Sequence, residues 1–178
     1  MTAKESSKMK RGYDILETQL LGTVAVVVSE NGVEEVCLTK ESFKDYLKHH
    51  PEVEQNPKLC QEAISQLDAY FKGERLNFEL PLALEGTEFR KQVWEALMQI
   101  PYGETRSYGE IAKSIGNPKA VRAVGSANKA NVLPLIIPCH RVIGAKGRLV
   151  GFMGARTDLQ ARLLAHEEKI RSQRLYKH

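Results

Sequence analysis

Three cysteines, one tryptophan and seven prolines are all that 178 residues contain of these types. Cys37, Cys60 and Cys139 are odd in number and widely spaced, so a reducing compartment is expected rather than a disulfide framework. Long apolar runs are also missing. The longest, Leu20–Val28 and Val132–Pro138, reach less than half of the ~20 residues that cross a bilayer, which excludes a transmembrane helix. The polar stretch Met1–Asp14 has no apolar segment behind its charges, so no secretory signal is expected and the setting expected is cytoplasmic. The length allows one domain or two small ones, each with a real core.

Charge is present in both signs but not evenly. Residues 1–85 hold 10 Lys and Arg against 15 Asp and Glu, a net −5, while residues 86–178 hold 16 against 7, a net +9. The basic half is expected to meet a polyanion, unless the asymmetry is only that of a solvated surface.

The N-terminal half reads as a small sheet with helices. Tyr13–Leu20, Gly22–Val28 and Val33–Leu38 are strand-like, and Asn31-Gly32 between the last two signals a hairpin. Helices are expected over Glu41–His49 and Pro57–Lys72, the second carrying Leu59, Ala63, Ile64, Leu67, Tyr70 and Phe71 at helical spacing. Leu76–Leu80 could form another strand, and Pro81–Gly86 reads as a linker. The second half is mostly helical. Thr87 caps a helix running through Gln99, and Ser107 caps Tyr108–Ile115. Gly116-Asn117-Pro118 forms a turn, and Pro118 at a first helical position starts Lys119–Lys129. That order has the helix-turn-helix outline, which ordinary helical hairpins share. The helix Lys119–Lys129 is unusually slim, with Ala120, Ala123, Gly125, Ser126 and Ala127. Small residues suit either tight helix packing or entry into a narrow groove.

Chemistry concentrates in Ile136-Ile137-Pro138-Cys139-His140-Arg141-Val142. A cysteine beside a histidine is a candidate activated thiol, because the thiolate is the nucleophile and an imidazole can take its proton. Arg141 would add positive potential. In an extended chain, neighbours point to opposite faces, so His140 would reach Cys139 through a water or where Pro138 bends the backbone. A buried structural cysteine is the alternative for an isolated Cys-His pair.

Pro138-Cys139-His140-Arg141-Val142 resembles the active-site signature of the O6-alkylguanine-DNA alkyltransferases, the methylated-DNA–protein-cysteine methyltransferases. The resemblance runs from Gly86 to Glu167. It includes Gly86-Thr87-Glu88-Phe89, Val93-Trp94, Ile100-Pro101-Tyr102-Gly103 and Ser107-Tyr108, then Gly116 through Gly125 and Leu163-Leu164-Ala165-His166-Glu167. It implies an α/β (α+β) protein in two parts. Residues 1–85 would form a ribonuclease H-like domain, and residues 86–178 a winged-helix-like DNA-binding domain with a helix-turn-helix.

By the same resemblance, Cys139 accepts the alkyl group, His140 deprotonates it through a water, and Glu167 orients and stabilises the imidazole. Asn131 matches the asparagine that bridges the recognition helix to the active-site loop. Arg122 matches the finger that fills the space left by the flipped base. Tyr108 matches the residue that presses the target phosphate and contacts the base. Ala123, Gly125 and Ala127 would lie in the minor groove, with Asn117 and Lys119 at the DNA. Val142 and the lid Phe152-Met153-Gly154 would line the substrate pocket. The lid departs from the family pattern: Phe152 stands where tyrosine is usual, Gly154-Ala155-Arg156-Thr157 is one residue longer, and Arg162 replaces a tryptophan.

The expected partner is double-stranded DNA containing O6-alkylguanine, with weaker activity on O4-alkylthymine, repaired by a monomer that would be nucleoid-associated in a prokaryote. No membrane, metal or small-molecule cofactor is expected. Cys37, Cys60, His49 and His50 match no zinc-finger spacing, and the first half lacks the acidic residues of a nuclease. Two other classes compete. A lesion sensor would bind without transfer, against which the intact Cys139, His140 and Glu167 speak. A Cys-His hydrolase would require turnover on esters or peptides.

Overall fold

The computed structural model describes residues 10–149 and 156–176, and the chain divides into two compact units between Ala83 and Leu84. The first is a four-stranded sheet flanked by helices. Strands β1 (Arg11–Thr18), β2 (Gly22–Ser29) and β3 (Gly32–Cys37) form an antiparallel meander, and β4 (Glu54–Gln55) adds parallel to β1. Nearly all of β2 is buried, as a β-branched run becomes when both faces of a sheet are covered. Helix α1 (Lys40–His49) brings Phe43 and Tyr46 against Ala25, Val27 and Cys37. Helix α2 (Pro57–Phe71) brings Cys60, whose thiol donates to the Gly12 carbonyl at 3.5 Å. Cys37 and Cys60 are therefore core residues, and burial raises both thiols to about 12. No group of His, Cys, Asp and Glu side chains suited to a metal ion occurs among the described residues.

Two expectations for this unit need correction. Leu76–Leu80 is not a strand: the side chain of Gln66 satisfies the Glu79 backbone, accepting from its N–H at 2.9 Å and donating to its carbonyl at 3.1 Å. Pro81–Ala83 is not free linker either. The Val33 N–H donates to the Pro81 carbonyl at 2.8 Å, and the Ala83 N–H donates to the Val33 carbonyl at 2.9 Å. Gly32 permits this approach. Its φ is +120°, and a Cβ there would sit 2.3 Å from the Pro81 oxygen.

The second unit is mixed but mainly helical. Helix α3 (Glu88–Met98) starts at the Thr87 cap, whose hydroxyl accepts from the Arg90 N–H. Strand β5 (Arg106–Ser107) leads into α4 (Tyr108–Ser114), where Ser107 and Glu110 form a reciprocal capping box. Gly116, at φ +79°, ends α4: its N–H bonds the Lys113 carbonyl and the Asn117 N–H bonds the Ala112 carbonyl. Pro118 does not open the next helix, contrary to expectation. It sits in a β-turn closed by the Ala120 N–H on the Asn117 carbonyl, and α5 runs Val121–Lys129 without a side-chain cap. A proline at the second turn position has its φ set equally well for that role.

Trp94 donates its indole N–H to the Ala127 carbonyl at 2.8 Å, which ties α3 to α5. The long helix α6 (Thr157–Tyr176) turns Leu159, Gln160, Leu163 and Glu167 inward. Strand β6 (Val142–Ile143) pairs parallel to β5, so the segment following Cys139 is fastened to the start of α4. Among the described residues no helix is long and apolar enough to cross a membrane.

Candidate active site

The Cys139 segment is a compact pair of turns rather than an extended strand. Pro138, at φ −78° and ψ 63°, is the centre of an inverse γ-turn, in which the Cys139 N–H donates to the Ile137 carbonyl at 2.7 Å. Cys139–Arg141 then form a 3-10 turn, with the Arg141 N–H on the Pro138 carbonyl at 3.0 Å. Proline thus does bend the chain, and His140 does not sit on the opposite face of a strand. Asn131 braces the approach to the turn. Its amide donates to the Ile137 carbonyl at 3.0 Å and its oxygen accepts from the Leu133 N–H at 2.9 Å. Between them Leu135 is held at φ +75°, a strained conformation that persists only where the surroundings impose it.

Behind the cysteine lies a buried acid–base cluster. His140 Nε2 stands 2.7 Å from Glu167 Oε2, with both side chains wholly inaccessible to solvent. The guanidinium of Arg141 grips the same carboxylate, Nε to Oε1 at 2.8 Å and Nη2 to Oε2 at 3.0 Å, while Nη1 donates to the Ile100 carbonyl. The Gly103 N–H adds a further donor to Oε1 at 3.2 Å. Burial alone would raise the Glu167 pKa, but the hydrogen bond from His140 and the hydrogen bonds and charge of Arg141 outweigh it and hold the carboxyl far below its ordinary range. An ionised carboxylate only accepts, so Nε2 carries the imidazole proton and Nδ1 is left with the lone pair. Nδ1 has no hydrogen-bond partner among the described residues. Burial also lowers the His140 pKa, opposed by Glu167, so the ring is neutral at physiological pH.

Cys139 is 4% exposed, and desolvation raises its thiol to about 11, with a hydrogen bond from Asn131 opposing the rise. Forming the free thiolate at pH 7 would therefore cost about 5 kcal/mol, roughly one molecule in ten thousand. A base that takes the proton as attack begins would avoid that cost. Tyr108 stands near enough for a thiolate charge to disfavour its own ionisation. Burial first and that charge second raise the phenol, which is hydrogen-bonded to Asn128.

Cys139, His140, Glu167, Asn131 and Tyr108 are thus gathered in one place. Arg122, Ala123, Asn117 and Lys119 are exposed on α5 and the turn before it, and Gly125 packs beside the Tyr108 ring. Ala127 is a correction: at 1% exposure it faces the core under Trp94 and cannot contact DNA. Arg141 is another. Its charge is committed to Glu167 and the Ile100 carbonyl rather than directed at the thiol. Val142 is fully buried in β6. Phe152, Met153 and Gly154 lie outside the described residues.

Some members of the cluster escaped the sequence reading. The Gly103 N–H carries no sequence signal, and Arg141 was visible but its partner was not. Gln160, which donates to the His140 and Val142 carbonyls, had a signal: a polar residue seven positions before Glu167 on the same face of a helix.

A helix-turn-helix unit beside a buried cysteine, an adjoining neutral imidazole and an ionised carboxylate is the arrangement of a nucleic-acid-binding protein with a candidate nucleophilic thiol. Residues 88–169 match the family model of the 6-O-methylguanine DNA methyltransferase DNA binding domain, and residues 13–84 match that of its ribonuclease-like domain. The chain belongs to the methylated-DNA–protein-cysteine methyltransferase family. The constitutive methylated-DNA–protein-cysteine methyltransferase of Bacillus subtilis is 46% identical over 154 residues, covering 85% of this chain and 92% of that one. The crystal structure of Mycobacterium tuberculosis O6-methylguanine methyltransferase is 39% identical with a TM-score of 0.79, over 89% of this chain and 93% of that one. The structure of Mycobacterium tuberculosis OGT in complex with DNA is 38% identical with a TM-score of 0.77, over 89% and 94%.

Proposed function

We propose that this protein repairs DNA by moving an alkyl group from guanine O6 to Cys139, once per molecule. The observation that carries the reading is the order thiol, neutral imidazole, ionised carboxylate within one buried cluster. His140 Nδ1, which meets no hydrogen-bond partner among the described residues, takes the Cys139 proton through a water. The S–C bond forms as the C–O6 bond breaks, and the proton passes to the released guanine. Atoms and charge balance without a cofactor. Glu167 stabilises the transient imidazolium and holds its tautomer. A thioether gives water no leaving group, so the protein is spent.

The target atom is buried in a duplex and the base must leave the stack, at a cost of a few kcal/mol that is smallest for a damaged base. Arg122, exposed on α5, fills the gap. Ala123 and Gly125 keep that helix face slim enough for the minor groove, and Asn117 and Lys119 reach phosphates. Tyr108, a phenol that is protonated at physiological pH and is made harder still to ionise by burial, donates to the leaving guanine. Val142, at the start of β6, would bound the pocket. The substrate is duplex DNA bearing O6-alkylguanine, and O4-alkylthymine is a poorer one.

Incubation with a duplex containing radiolabelled O6-methylguanine tests this reading. Label retained on the protein at one methyl per molecule supports it. Binding without label identifies a lesion sensor, and turnover on esters or peptides with no label identifies a hydrolase.

A further inference from the structure

Gln160 lies on α6, seven residues or about two turns before Glu167, and its side chain is wholly buried. Its Nε2 donates to the His140 carbonyl at 3.1 Å and to the Val142 carbonyl at 2.9 Å. Both partners are acceptors, so the amide orientation is determined: both N–H bonds are used, and Oε1 is turned away. Oε1 finds no donor among the described residues. A buried acceptor without a partner is destabilising. A carboxamide is thus a poor choice for filling this space unless its two donations matter.

They fall on either side of Arg141. One carbonyl belongs to the base itself and the other to the first residue of β6. His140 is consequently fixed at two places, its ring by Glu167 and its peptide by Gln160, and both anchors come from one face of α6. We propose that Gln160 is a positioning residue for alkyl transfer, clamping the turn so that Nδ1 of His140 keeps its aim toward the Cys139 proton. This rests on the reading of Cys139 as the alkyl acceptor. The hydrogen bonds of Gln160 go to neither the sulfur nor α5, so its loss acts on the transfer step and spares DNA binding.

The test splits binding from chemistry in the full-length protein. A saturating duplex carrying O6-methylguanine gives the single-turnover transfer rate, normalised to active molecules by stoichiometric labelling, and a fluorescent lesion duplex gives Kd. Gln160→Met keeps the length and removes both donors. We expect transfer about tenfold slower or more, with Kd within about twofold. Gln160→Asn keeps the amide uncharged but draws both donors back by one methylene, and it is expected to slow transfer less than methionine does, with Kd again within about twofold. A methionine variant slowed less than about tenfold, or one losing rate and binding in proportion, overturns the clamp. Should that variant not fold, the asparagine variant decides: slower transfer with Kd unchanged supports the clamp, and an unchanged rate, or rate and binding lost in proportion, overturns it. Wild-type protein that takes no label in the same assay removes the underlying reading instead.

Discussion

His140 and Glu167 meet at 2.7 Å in a place no solvent reaches, and Arg141 holds the far side of the same carboxylate. The three form one electrostatic unit. Removing a single charge from it should be expensive. Glu167→Gln leaves the Arg141 cation buried without its counter-charge, and the expected cost is about 3–5 kcal/mol of stability. It also leaves the imidazole tautomer unset, and transfer should slow by about 100-fold or more. Urea unfolding and single-turnover labelling check the two effects; a stable, fast variant would contradict both.

The same unit sets the pH dependence. The folded pKa of Glu167 lies below its unfolded value, near ~4.3, so its contribution is complete above that value and fades as pH falls toward the folded pKa. His140 is also depressed, from an unfolded value near ~6.5, so the folded state resists protonation and stability falls as pH drops below that value. Stability should therefore decline first below neutrality and again in the carboxylate range. Transfer should be flat above about pH 7 and fall only below ~6.5, where the base becomes protonated. Denaturant midpoints and single-turnover rates measured across pH 4–9 would reveal a contrary slope.

Arg122 is exposed on α5 and takes no part in the buried cluster. As the residue that fills the duplex after flipping, it should matter for duplex DNA and hardly at all for the free base. Arg122→Ala is expected to slow repair of duplex DNA about tenfold or more while changing reaction with free O6-methylguanine less than about twofold. Equal losses on both substrates would remove the wedge role.

In the N-terminal unit, Gly32→Ala should be destabilising by at least 1–3 kcal/mol, roughly the cost of one strained residue, because a Cβ would collide with the Pro81 backbone at a left-handed φ. Thermal unfolding measures it. An unchanged midpoint would mean that Pro81–Ala83 undocks from β3 without penalty.

These residues also mark how far the sequence could be read. The strands, the helices and the capping residues Thr87 and Ser107 were legible because hydrophobic period and capping chemistry act locally. The Cys139-His140 pair was legible in the residues themselves as a candidate activated thiol, but the distant Glu167 was legible only through resemblance, since nothing local joins it to His140 27 residues away. Strand β4 was invisible because two exposed polar residues carry no pattern. Leu76–Leu80 misled because its apolar residues alternate like a strand, while Gln66, from a neighbouring helix, took over the ladder's hydrogen bonds. Ala127 misled for a related reason. Its small side chain looked suited to a groove, yet that side chain is buried and its carbonyl accepts from Trp94. Which face of a helix looks inward is decided by partners far along the chain.

Mass spectrometry of the protein after one exposure to excess O6-methylguanine duplex bears most directly on the account. A single gain of about 14 Da, methyl replacing hydrogen, is predicted on the peptide containing Cys139 and is predicted to be absent from Cys139→Ser protein that still binds the duplex. An unmodified Cys139, or the same mass gained on Cys37 or Cys60, would contradict it.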